Sequence, residues 1–513
     1  MTTLRNAFAN LAGYVISLTI GILFTPYIIS KLGIVSYGVY PLIMSLFVWA
    51  GWISLSVNWS VGRFFTIAYS KGDVKEAAII FNTSMVASLF MALGLLTIGL
   101  IVAPFAGSLF RLPPGTESAA RALIIFGAIA TAFGVLSGVV EVSFYCLNRF
   151  DYRAILQVAR GLISVATVLL FFHLSRPRLE WVGLGSCVAA FVTAIIAFFW
   201  GRRLVPCLAF KPRLFSFDSL RAMMSTNFWV VVDQLGTILM LSMNLFLANR
   251  LFGPGVSAEY ALAAQWENML RSIMAALTVF TPQYVMLVAR SDTAALRNLS
   301  LHASRFVSLA IGVCGGVLIG LSPWLPQIWL HRSTTLVGPL MSGLVIAVVL
   351  NAAANPLYGI WQALNRVKTP SLATLASGVI SIALSLLLAR FFHLGPWAIV
   401  VGAGIAYTLR NALFSFRYVG ELVSVSQRGL ARSAVTGVAA CAVIAATVFL
   451  LASWVAPRNW LGAALVVTIS LTLSGPPLLL SLINRAERTK IFAVCTMIKG
   501  RLKGPSSATP EGQ

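Results

Sequence analysis

The sequence predicts an all-α integral membrane protein of about fourteen transmembrane helices, built as two parallel six-helix repeats plus two C-terminal helices. Three observations carry that prediction: an extreme hydropathy, a one-sided distribution of basic residues, and an internal repeat. The 513 residues are 59% hydrophobic and only 10% charged, with a mean hydropathy of +0.90. Soluble domains carry about 25% charged residues. Lipid cannot hydrogen-bond a backbone, so only helices or closed barrels cross it. The apolar runs here reach about 20 residues, the length of a membrane-crossing helix. They lack the short alternating segments of barrel strands.

The candidate spans lie at roughly 8–30, 39–58, 77–103, 121–146, 153–173, 181–200, 226–249, 258–285, 302–325, 339–361, 371–392, 397–418, 433–455 and 460–484. The first run, behind the single Arg5, is too long for a signal-peptide core and lacks a small-residue cleavage site. Connections are short, the longest being 201–225. Cytoplasmic connections carry excess Lys and Arg. Of the 37 basic residues, 26 fall at the N-terminus, in the even-to-odd connections or in the C-terminal tail. Nine fall on the opposite side, and Arg271 and Arg410 lie inside spans. Both termini are therefore expected in the cytoplasm, with the chain in the cell inner membrane. The net charge of +23 belongs to these connections rather than to a nucleic-acid surface. Trp324, Trp329, Trp397, Trp454 and Trp460 cluster at outer helix ends, as an interfacial aromatic belt would. The polar tail after Lys503 reads as disordered. Six cysteines without a close pair imply neither a disulfide framework nor a metal site, and no cofactor motif appears.

The halves resemble each other. Residues 161–170 match 378–387 at six of ten positions, an offset of 217. Leu147-Asn148-Arg149 recurs as Leu364-Asn365-Arg366 at the same offset. Phe171-Phe172-His173-Leu174 recurs as Phe391-Phe392-His393-Leu394, and Asp73 pairs with Asp292. Six helices is an even number, so both copies enter the membrane in the same sense. That is a parallel repeat about an axis along the membrane normal, one of the known transporter plans. The expected units are an N-terminal lobe at 1–200, a cytoplasmic linker at 201–225 and a C-terminal lobe at 226–418. Two extra helices at 433–484 and a cytoplasmic tail at 485–513 complete the chain. Two such lobes can rock about a central cavity.

Several local motifs point to a family. Pro26-Tyr27-Ile28-Ile29-Ser30-Lys31-Leu32-Gly33 followed by Tyr37-Gly38, Gly62-Arg63 at the end of helix 2, Lys71-Gly72-Asp73, and the two Leu-Asn-Arg turns resemble the Wzx-like polysaccharide flippases. These belong to the multidrug/oligosaccharidyl-lipid/polysaccharide exporter superfamily. The resemblance covers the twelve repeat helices. It implies movement of a polyprenyl-diphosphate-linked oligosaccharide from the inner to the outer leaflet, with membrane lipid and polysaccharide polymerase or export proteins as partners. Fourteen spans exceed the twelve of many Wzx-like proteins and are nearer the lipid II flippases. Where family members often carry an acidic residue and glycine, this chain has Ser54-Leu55-Ser56.

Charges inside spans cost roughly 2.5–3.5 kcal/mol at a helix centre on insertion scales, so they face a cavity or a partner. Arg271, Arg410, Arg63 and Arg160 are candidates for a cationic substrate cavity, because a guanidinium donates two parallel hydrogen bonds to phosphate. Asp233 and Glu267 are candidates for ion coupling. Each has a plainer alternative. Glu267 and Arg271, four apart on one helix face, neutralise each other for insertion. Arg410 snorkels toward the cytoplasm, Asp233 partners an arginine of another helix, and Arg63 and Arg160 are ordinary positive-inside residues. Gly312, Gly316 and Gly320 form a close-packing stripe.

No P-loop, HExxH or strand-to-helix GxSxG is present, so no catalytic constellation or nucleotide engine is expected. Two other readings compete with the flippase. A multidrug exporter of the same superfamily would prefer an acidic, aromatic cavity. A membrane glycan polymerase or ligase would need a sizeable outer loop, whereas only His331 stands near one here.

Overall fold

The computed structural model describes residues 2–147, 149–206, 208–277 and 280–482. Within them the chain forms fourteen long helical bodies, shorter helices beside them, and no strand. In the first half these are α1 (Thr2–Leu32), α2 (Ile34–Ser70), α3 (Val74–Val102), α4 (Glu117–Val140), α5 (Phe150–Leu174) and α6 (Leu179–Leu204). In the second, α7 runs Phe217–Thr237, passes through a π turn at Ile238–Ser242, and continues as Met243–Phe252. Then come α8 (Pro254–Leu277), α9 (Thr293–Leu321) and α10, which begins at Val337–Asn351 and ends at Tyr358–Ala363 after a 3₁₀ stretch. The remaining bodies are α11 (Lys368–Phe391), α12 (Trp397–Leu409, a π turn at Arg410–Ser415, then Phe416–Val423), α13 (Gln427–Val455) and α14 (Trp460–Leu482).

Ten of these are long and apolar enough to cross a membrane, and three more segments are shorter apolar helices. The exception is α8, whose apolarity is diluted by Glu259, Glu267 and Arg271. Several bounds differ from the sequence expectation. Helix α2 runs on to Ser70, past the expected end near 58, and α9 begins at Thr293, ahead of the expected 302. Helix α7 starts at Phe217 because the Ser216 hydroxyl caps it by accepting the Ser219 N–H at 3.3 Å. The connection between the halves is thereby shortened to 205–216. Of the span expected at 258–285, Pro254–Leu277 and Thr281–Ala289 are helical, the latter with proline in its first turn, and residues 278–279 lie outside the described residues.

The internal repeat is built into the turns. Gly33 (φ 82°) joins α1 to α2, and Gly253 (φ 89°) joins α7 to α8, each the one residue between two helices. That backbone region is open only to glycine. Asp73 and Asp292 each cap the following helix, accepting from the Glu76 N–H at 2.8 Å and the Ala295 N–H at 2.9 Å. The Arg149 N–H closes on the Phe144 carbonyl at 2.7 Å, as the Arg366 N–H does on Trp361 at 2.8 Å. Asn148, between the first pair, lies outside the described residues.

Packing repeats as well. Helix α1 packs on α5 as α7 packs on α11, and α5 on α6 as α11 on α12. Likewise α2 and α3 pack on α4 as α8 and α9 pack on α10. Gly185 and Gly402, 217 apart, mark equivalent close crossings: a side chain on either would press into Ser164 and Val168 or into Ser385. Across the halves, α2 lies on α8. Helix α13 is seated on α9, and α14 on α13. The stripe of Gly312, Gly316 and Gly320 faces Gly437, Cys441, Ile444 and Val448 of α13 with no room for a Cβ. Ser300, Ser304 and Ser308 extend the same stripe at four-residue spacing, all buried. The small-residue signal thus specifies the seat of the helix pair that stands outside the repeat.

Candidate functional site

The acidic and basic residues of the second half converge. Glycines prepare the site: Gly236 of α7 lies against Thr374 and Leu375 of α11, and Gly378 of α11 lies against Gly236 and Leu239. This approach lets the Thr374 hydroxyl donate to Asp233 Oδ1 at 2.7 Å. Thr374 also accepts from Arg410 Nη2 at 2.6 Å. Arg410, on α12 and only 7% exposed, donates Nη1 to the Tyr358 hydroxyl at 2.7 Å, while its Nε has no partner among the described residues. Tyr358 donates in turn to Asn411 Oδ1 at 3.1 Å, and Asn411 Nδ2 donates to Asn351 Oδ1 at 2.8 Å.

A second cluster lies one step away. Arg271 donates Nε and Nη2 to Glu267 Oε1 at 2.8 and 2.7 Å. Its guanidinium lies 5.3 Å from the ring centre of Tyr407, which also faces Tyr358. Glu267, Arg271, Tyr407 and Asn244 line one small pocket between α7, α8, α10 and α12. The result is one continuous polar path, Glu267–Arg271–Tyr407–Tyr358–Arg410–Thr374–Asp233, through five helices. Two acids and two bases balance along it. Both π turns border it, one beginning at Arg410 and the other just after Thr237. Such wide turns occur often at functional sites.

The other two candidates lie elsewhere. Arg160 is exposed on α5 and donates Nε to Thr193 at 3.3 Å. Thr193 and Arg410 are 217 apart, so each half bonds an arginine to a threonine across equivalent helices with the roles exchanged. Arg63 is exposed near the end of α2. The side chains of Arg5 and of Ser54-Leu55-Ser56 lie outside the described residues. Sequence reasoning missed Tyr358, Thr374, Tyr407 and Asn411; polar residues set within the apolar runs of α10–α12 were the available signal.

Fold and site together define a multi-pass membrane protein with the two-lobe exporter fold. Two solved structures share it. An inward-facing multidrug resistance MATE family transporter of the MOP superfamily superposes with a TM-score of 0.67 at 14% identity, covering 82% of this chain and 98% of that one. The lipid II flippase MurJ in an inward closed conformation also gives 0.67 at 14% identity, covering 93% and 100%. The chain belongs to the polysaccharide biosynthesis protein family, whose sequence profile matches residues 3–287. It is also similar to the uncharacterized membrane protein EpsK of Bacillus subtilis (strain 168), with 28% identity over 425 residues, 81% of this chain and 83% of that protein.

Proposed function

We propose that the protein is a flippase, not an enzyme, that moves a polyprenyl-diphosphate-linked oligosaccharide across the inner membrane by alternating access, with both termini in the cytoplasm. Membership of the polysaccharide biosynthesis family carries this reading, because the chain combines it with a two-lobe exporter fold. The working parts are the two lobes, α1–α6 and α7–α12, joined by the 205–216 connection. Arg271 and Arg410 serve the diphosphate, with Arg63 and Arg160 as exposed basic residues of the first lobe. Each buried arginine already holds a carboxylate, directly at Glu267 or through Thr374 at Asp233. A diphosphate therefore binds by exchange: it offers the guanidinium fork the oxygens that Glu267 supplies in its absence. The displaced carboxylate then takes a proton or a cation, which is how Glu267 and Asp233 would couple transport to an ion.

One observation favours the multidrug exporter as a second reading: the two acids and two bases of the path leave the path itself without net positive charge. Deleting the gene and measuring polyprenyl-diphosphate oligosaccharide on the cytoplasmic leaflet, with a probe that cannot cross the membrane, separates the two. Accumulation relieved by the intact gene, but not by Arg271→Ala at equal membrane insertion, is the expected result. No accumulation with unchanged surface glycan would put the multidrug exporter first.

A further inference from the structure

We propose that Trp329 and Asn249 are the gate residues that close the outer side of the molecule by joining the two halves, an inference that rests on the alternating-access reading above. The halves meet at the end that carries the α1–α2, α3–α4, α7–α8 and α9–α10 connections. There one buried cluster mixes Ile29, Tyr37 and Ile43 of the first half with Ala248, Tyr260 and Trp266 of the second. At the opposite end the buried clusters are separate. One gathers Phe65, Phe81 and Leu208, and the other Tyr284, Leu357 and Phe416. The inner end of α7, through Met223, is the exception that joins the first of these.

Several polar contacts fasten the joined end, among them Gln265 Nε2 donating to the Thr25 hydroxyl at 3.2 Å, and in two of them a nearly fully buried side chain bonds to the backbone of the other half. Trp329, on the short helix Leu325–Leu330, is 2% exposed and packs edge-to-face on Trp266 at 5.2 Å. Its indole N–H donates to the Ile22 carbonyl of α1 at 2.7 Å. That carbonyl is available because the residue four positions on is Pro26, which has no N–H to close the helical bond. A proline in one half thus creates the acceptor that a tryptophan of the other half uses. The second contact is reciprocal. Asn249, 1% exposed near the end of α7, donates Nδ2 to the Arg111 carbonyl and accepts the Arg111 N–H, both at 2.9 Å. Beside it, Phe110 meets Phe246 edge-on at 5.9 Å. Gly38 of α2 lies directly on Ala258 of α8, where any side chain would part the helices.

Outward opening has to break all of these at once. The Ile22 carbonyl and the Arg111 backbone groups then need water, which reaches them only as the gate fills from outside. The gate is therefore two-state: closed and dry, or open and wet.

The test uses the full chain in membranes, with its native cysteines replaced and Ala248→Cys added as a reporter within the joined cluster. A membrane-impermeant maleimide is applied from the outside. Labelling is expected to be slow in the parent and faster by roughly 2- to 12-fold in Trp329→Phe, the population shift from losing one net hydrogen bond. Asn249→Ser is expected to act in the same direction, and serves if the tryptophan variant fails to fold. Trp324→Phe, which removes a tryptophan packed on Phe449 of α13 within the same side, is expected to leave labelling unchanged. Fast labelling of the parent, no change in Trp329→Phe and Asn249→Ser, or an equal rise in Trp324→Phe would each overturn the gate. The readout needs no substrate. Unchanged labelling with intact glycolipid relief sinks the gate alone, whereas raised labelling without glycolipid accumulation sinks the flippase reading alone.

Discussion

Removing the charge of Arg410 should cost less in a chain that already lacks the charge of Asp233 than in the parent chain. Arg410 is nearly fully buried and donates to Tyr358 and Thr374 at 2.7 and 2.6 Å. Hydrogen bonds to a charged group contribute about 1.5–3 kcal/mol each. Deleting one member of a buried ion pair costs about 3–5 kcal/mol, because the other charge is left without compensation. Asp233 would be that stranded charge, its carboxylate holding only the Thr374 hydroxyl among the described residues. Arg410→Gln is therefore expected to lose about 3–5 kcal/mol of stability. Asp233→Asn should lose somewhat less, since an amide oxygen still accepts from Thr374. The double variant removes both charges and should recover about 1–3 kcal/mol relative to the sum of the singles. Denaturant unfolding of the purified protein in one detergent, followed by tryptophan fluorescence, gives the four values of the cycle. Strict additivity would refute the argument, since it would mean that Asp233 carries no charge answering Arg410 in the folded state.

Two further outcomes test the frame around the site. Gly437→Val should unseat α13, because its side chain would press into the Ser308 hydroxyl and backbone of α9; the expected loss is about 1–3 kcal/mol or more, read as a lower melting temperature, and an unchanged one would mean that the seat yields freely. Asn82→Ala should loosen the connection between the halves, since Asn82 donates to the Ala209 carbonyl at 3.2 Å and accepts the Lys211 N–H at 2.6 Å. Faster tryptic cleavage after Arg213 is the expected reading, and an unchanged rate would show that the buried Val205 and Leu208 hold the segment without it.

The frame was legible in the sequence because the membrane leaves a chain few options. Hydropathy alone separates fourteen helices, and the match of 161–170 to 378–387 places α5 against α11 before any coordinates exist. Asp73 and Asp292 were visible as an offset pair, and the structure gives the reason: both cap a helix from the same turn. The site was legible only as isolated charges. Glu267 and Arg271 could be paired because four residues make one helical turn. Asp233 and Arg410 could not, since their link runs through Thr374 on a third helix and depends on Gly236 and Gly378 letting α7 and α11 touch. Neither π turn can be read from hydropathy: Ile238–Ser242 is as apolar as the helix around it, and Arg410–Ser415 reads only as polar residues inside an apolar run.

The duplication also explains why the site lies in one half. Two copies of one frame supply matched turns and matched crossings, so a charge placed in either copy inherits the same surroundings. In the first half the position matching Arg410 is Thr193, and the threonine is answered by Arg160 from α5 at 3.3 Å, with Arg160 left exposed. In the second half the arginine moves to α12, becomes buried, and needs a carboxylate within reach. Asp233 and the hydroxyl of Thr374 meet that need, Tyr358 and Asn411 accept from Nη1, and the π turn at Arg410–Ser415 sets Arg410, Asn411 and Ser415 into the same network. Exposed charge in one copy and buried, balanced charge in the other is an asymmetry that a symmetric frame does not require. On the exchange proposed above, it would give the second half two ways to satisfy the same groups, carboxylate to guanidinium or anion to guanidinium, and so tie its polar interior to the bound substrate.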